Sequence, residues 1–96
     1  MYRIESESID RLFDVILKLE NREDCYRFFE DLCTVKELQD LAQRMDVAVR
    51  LQKGENYLAI AQAVGVSTAT ISRVSKCLNY GSGGYQSAIE KMKEEA

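Results

Sequence analysis

Apolar residues along this chain recur at helical spacing, and no segment alternates as a strand would. Ile9, Leu12, Phe13 and Ile16 share one face of a first helix, with Ser8 placed to cap it. Asn21 reads as a break and a new cap, because Glu23 and Asp24 fall in the first turn that favours acids. Cys25, Phe28, Phe29, Leu32 and Cys33 form the next apolar face. Thr34 and Glu37 have the spacing of a capping box, so a third helix starts there. It runs to about Lys53 and stops at Gly54. Tyr57 to Val64 is a short apolar helix that Gly65 ends, and Ser67 caps its successor, which runs to about Leu78. Tyr80 to Gly84 is a flexible linker, and the last helix carries Tyr85, Ala88, Ile89 and Met92 on one face.

The first and third helices are apolar on more than one side. Val15 and Leu17 lie off the main face of the first. In the third, Leu38, Leu41, Ala42, Met45, Ala48 and Val49 make one stripe, and Val47 and Leu51 make another. A domain this small has few elements to cover both sides, so the simplest cover is a second copy of the chain. The expected organisation is a single all-α domain over residues 1–96. Within it, residues 8–53 are dimerisation helices, 56–78 a helix-turn-helix, and 85–95 a C-terminal helix.

Composition narrows the function. The 96 residues hold thirteen Lys and Arg against sixteen Asp and Glu, for a net charge of -3. That excludes a binder working by bulk positive charge. The charge is uneven, however: residues 1–40 carry -5, residues 41–80 carry +3, and residues 81–96 carry -1. If one part meets an acidic polymer, it is the middle. The longest charge-free run, Asn56 to Ser72, is broken by Gly, Gln, Ser and Thr, so no membrane span is expected. The start of the chain, Met1 to Asp10, is polar and acidic, unlike a signal peptide. Cys25, Cys33 and Cys77 form no CxxC pair and are expected as reduced core thiols in a cytoplasm.

The segment Tyr57 to Lys76, YLAIAQAVGVSTATISRVSK, fits a helix-turn-helix position by position. Ala61 is small where two helices cross, and Gly65 suits a left-handed turn. Ile60, Val64 and Val66 are expected to bury the first helix and the turn, and Ile71 and Val74 the second helix. Thr68, Ala69, Ser72, Arg73 and Lys76 are small or basic and face out, and no acid occurs from Ser67 to Leu78. Such a face can enter a major groove and reach base edges. With Ser67 and Thr70, these residues are the candidate DNA contacts.

The order Gly54-Glu55, a short helix, then ATISR at Ala69 to Arg73, with Ser75 and Leu78, resembles the Trp repressor family, in particular its YerC/YecD-type branch. The resemblance covers about Phe29 to Met92. It implies an all-helical, six-helix chain that forms an intertwined homodimer, with two reading heads on a palindromic double-stranded operator. It also implies an effector site in which an indole lies between two arginines, matched here by Arg44 and Arg73, with Thr34 near the ligand carboxylate. The sequence departs from the family at one point. The glycine after the second arginine, which leaves room for the indole, is Val74 here. A valine fills that space, so a regulator that does not need tryptophan is expected.

Other chemistry is sparse. With no histidine, Ser67, Ser72 and Ser75 lack the usual activating base, and an enzyme is not expected. No metal or cofactor is expected either. Glu23-Asp24 and Glu30-Asp31 read as solvated helix faces, and Gly81 to Gly84 lacks the lysine of a phosphate loop. The competing function is a protein-interaction module, a helix-turn-helix that no longer binds DNA. It draws support from the acidic total charge and from the absence of Lys or Arg between Tyr57 and Val64. In a DNA binder, phosphate contacts would have to come from Asn56, Tyr57, Gln62, Arg50 and Lys53 instead.

Overall fold

A computed structural model describes residues 4–94. It is all-α among those residues: α1 (Glu7–Ile16), α2 (Arg22–Leu32), α3 (Val35–Gln52), α4 (Tyr57–Ile60), a π-helical turn (Ala61–Gly65), α5 (Thr68–Tyr80) and α6 (Gly84–Glu94). The chain packs as two units that divide between Leu38 and Gln39, inside α3.

In the first unit, local hydrogen bonds set each helix start. Ser6, not Ser8, caps α1: its Oγ accepts from the Ile9 amide at 3.1 Å. Glu7 and Asp10 occupy the first turn beside the helix dipole's positive end. Apolar spacing begins at Ile9 and points to the nearest serine, but the cap sits a further two residues upstream. Asn21 caps α2 as expected, its Oδ1 accepting from the Asp24 amide at 2.8 Å. The Thr34–Glu37 capping box is complete. The Thr34 amide donates to Glu37 Oε1 at 2.8 Å, and the Glu37 amide donates to Thr34 Oγ1 at 3.1 Å. The Thr34 amide, and after it the Thr34 hydroxyl, hydrogen-bond the Glu37 carboxylate and hold it below the usual glutamate range.

Neither α1 nor α2 has a buried residue. Phe13 is 55% exposed, Leu17 82% and Leu32 49%, so the apolar faces remain open in the single chain. Cys25 is exposed and Cys33 half-buried, and Cys77 on α5 is exposed as well. The expectation of core thiols is therefore corrected for the single chain: the faces that carry them are not covered by it.

The second unit holds the core. Val47 and Ala48 of α3, Ile60 of α4, Ile71, Val74 and Leu78 of α5, and Ile89 of α6 form one buried cluster. Met45, Val49, Leu51, Ala61, Val64, Val66 and Tyr85 pack partly against it. Of the two stripes on α3, Val47 and Ala48 turn inward, while Leu41 remains exposed. The helix ends at Gln52, and Gly54 takes a positive φ of 88° to turn the chain. Among the described residues, no helix is long and apolar enough to cross a membrane.

Candidate nucleic-acid interface

The turn between α3 and α4 is clamped on both sides. The Glu55 amide donates to the Arg50 carbonyl at 3.1 Å, and the Arg50 guanidinium donates to Glu55 Oε1 at 2.9 Å. This pair commits Arg50, a candidate phosphate contact, to an internal carboxylate. Asn56 is committed too: its Oδ1 caps α4 by accepting from the Ala59 amide at 2.9 Å. Lys53, Tyr57 and Gln62 stay exposed.

The first helix of the motif is α-helical only to Ile60 and widens into a π turn over Ala61–Gly65. Five residues are too few for the apolar pattern to separate a π turn from an α turn. Gly65 ends it with φ 80°, as the sequence anticipated. A Cβ there would meet nothing within 4 Å, so the glycine is required by its backbone angle and not by crowding. Val66 is extended, and Ser67 then caps α5, its Oγ accepting from the Thr70 amide at 3.2 Å.

The two faces of α5 are sharply divided. Ile71, Val74 and Leu78 lie in the core at 0%, 3% and 6% exposure. Thr68, Ala69, Ser72, Arg73 and Lys76 are all exposed on the other side. At helical spacing they fall within an arc of about 140°. Ser67 and Thr70 differ from the other candidates. Ser67 spends its hydroxyl on the cap, and Thr70 is half-buried with its hydroxyl 3.2 Å from that of Ser67. They shape the start of α5 more than they extend its exposed surface.

α5 also continues to Tyr80, past the expected end at Leu78, because nothing interrupts it before Gly81. Tyr80, one turn beyond Lys76, is 82% exposed. The i, i+4 relation to Lys76 and the following glycine were the sequence signals for it, and reading the tyrosine as linker hid them. The Gln86 side-chain amide donates to the Leu78 carbonyl at 2.8 Å and ties α6 back to this helix end.

The residues matched to an effector site fall into different settings. Val74 is buried in the cluster with Ile60, Val47 and Ala48. Arg44 and Arg73 are both exposed. Thr34 lies in the first unit, where its hydroxyl serves the capping box.

A capped short helix, a left-handed glycine turn and a second helix with one buried and one small, basic face define a helix-turn-helix protein. The chain belongs to the Trp repressor family: the model of that family, described as Trp repressor protein, matches residues 7–93. The uncharacterized protein YerC of Bacillus subtilis (strain 168) is 50% identical over 92 residues, covering 96% of this chain and 88% of that one. A Staphylococcus aureus protein provisionally described as a Trp repressor has a crystal structure at TM-score 0.90 and 49% identity, with 94% and 90% of the two chains covered. A TrpR-like protein from Eubacterium eligens matches at TM-score 0.91 and 43% identity, with 94% and 93% covered.

Proposed function

We propose that this chain is a sequence-specific DNA-binding transcriptional regulator, acting as a cytoplasmic homodimer and as a repressor, and that it does so without tryptophan. The observation that carries the reading is the exposed face of α5. Thr68, Ala69 and Ser72 leave room for close approach to bases, and Arg73 and Lys76 supply the only charges there. The open apolar faces of α1 and α2 support the dimer, since a second copy is the cover always present at equal concentration. Burial of Val74 supports independence from tryptophan, because a core side chain stands where the family resemblance implies a glycine that leaves room for an indole.

Binding of random-sequence duplex DNA at two salt concentrations tests the first part. A DNA binder loses affinity steeply as salt rises, because each phosphate contact releases counterions. Sedimentation at micromolar concentration tests the second: a single species near the 11.0 kDa chain mass overturns the dimer. A protein-interaction module remains the rival, favoured by Leu58. That residue is 68% exposed on the motif's first helix, which carries no base. Salt-independent, weak DNA binding selects the rival.

A further inference from the structure

The exposed face of α5 offers a short list of base-reading chemistries. In its first two turns, residues 68–75, there is no Asn or Gln to pair with the adenine edge and no Asp or Glu to accept from cytosine, and Asn79, exposed at the far end of the helix, donates its side-chain amide to the Ser75 carbonyl at 2.9 Å. Arg73 and Lys76 can donate to guanine. The first turn, however, presents Thr68 and Ala69, both exposed. What they can offer in the groove is two methyl groups and one hydroxyl, and in the major groove the apolar partner for a methyl is the C5-methyl of thymine.

The threonine hydroxyls here do not compete equally. Thr70 is half-buried and its hydroxyl is held against Ser67, so its polar atom is turned to the helix cap. Thr68 lies on the open side of the same turn, and Ala69 beside it has no polar atom at all. Ser72 follows Thr68 by one turn and adds a hydroxyl, which can donate or accept and so discriminates poorly among bases.

We infer that this protein reads thymine C5-methyl groups through Thr68 and Ala69, so that thymine methyls, and not adenine edges, carry the sequence preference at the start of α5. The inference rests on the DNA-binding reading above and goes further by naming the atoms read. Burial of a methyl against a methyl is worth about fourfold in affinity per contact. The preference at each such position is therefore modest, and discrimination is shared with Arg73.

The test uses duplexes enriched by this protein from a random pool. Each thymine is replaced in turn by deoxyuridine, which keeps the base pair and removes only the C5-methyl. At one or two positions per half-site, affinity should fall about three- to fivefold. Thr68→Ser, which keeps the hydroxyl, and Ala69→Gly should each abolish the deoxyuridine penalty at one of those positions and leave the others intact. If every deoxyuridine duplex binds like its thymine parent, the inference is overturned while the DNA-binding reading stands. A penalty that persists undiminished in both variants also overturns it, because the methyl is then sensed elsewhere. If no duplex is enriched and binding is insensitive to salt, both readings fall together.

Discussion

Replacing Val74 tests the packing of the helix-turn-helix most directly. Its side chain is 3% exposed and belongs to the cluster that joins α3, α4, α5 and α6. Val74→Ala removes two buried methyl groups. At about 0.8 kcal/mol each the transfer term is near 1.6 kcal/mol, and the cavity left behind raises the loss to about 2–3 kcal/mol. Val74→Gly removes a third carbon and adds the backbone freedom of a glycine inside a helix, bringing the total to about 3–4 kcal/mol. The assay is urea unfolding followed by far-UV circular dichroism, at one fixed protomer concentration because the stability of the proposed dimer would depend on it. Arg73→Ala, on the exposed face of the same helix, is the control and should move stability by no more than about 0.5 kcal/mol. A Val74→Ala loss no larger than the control's refutes the argument that this valine is a structural wedge. The ligand side is tested by titration calorimetry with tryptophan. No heat of binding is expected for the natural protein, and operator affinity should not change when tryptophan is added. A ligand without differential affinity for two states cannot shift them. A clear heat of tryptophan binding would mean that Arg44 and Arg73 frame an open site despite Val74.

Arg73→Ala should weaken binding to a selected operator by about 1–3 kcal/mol if the guanidinium reads a base, whereas Lys76→Ala should weaken all sequences alike and flatten the salt dependence; equal binding by both variants and the natural protein places the interface elsewhere. Gly65→Ala should cost about 1–2 kcal/mol in thermal or urea unfolding, from its positive φ alone, since open space surrounds the added Cβ; a neutral result means the turn relaxes freely. The Glu37 carboxyl is held below its ordinary range by the Thr34 amide and hydroxyl, so its contribution to the start of α3 is present at neutral pH and is lost as pH falls through the lowered pKa. Glu37→Gln should therefore flatten the acid limb of a stability-against-pH curve, and an unchanged limb counts against the capping box as a source of it.

Most of the helix-turn-helix was legible because its determinants are local. Gly65 and Ser67 act within three or four residues of themselves, and a cap or a left-handed glycine leaves a mark at a fixed offset, whereas the capping role of Asn56 was missed because it was read only as a phosphate contact. The buried positions Ile60, Ile71 and Val74 followed from period alone, because the partner elements lie close in sequence and in the same unit. What escaped was geometry that leaves residue types unchanged. The π turn over Ala61–Gly65 keeps Val64 against the core just as an α turn would, so the apolar pattern is the same for both. The Arg50–Glu55 ion pair escaped because a five-residue separation crosses a helix end, where helical spacing rules do not apply.

The N-terminal helices show the other side of the same logic. Hydrophobic periodicity says that a face is to be covered and says nothing of what covers it. On α5 the stripe is buried within its own unit; on α1 and α2 an equally regular stripe remains open, with Phe13 and Leu32 each about half exposed. The same rule therefore located a core in one half of the chain and an uncovered surface in the other. Solvent exposure of apolar surface is unfavourable by an amount that grows with area, which is the physical ground for the second copy proposed above. In the homodimer proposed above, a second copy would bring the same faces together about a two-fold axis. The apolar excess of α1 and α2 thus bears on the assembly proposed above, and the division of faces on α5 on the DNA contact proposed above.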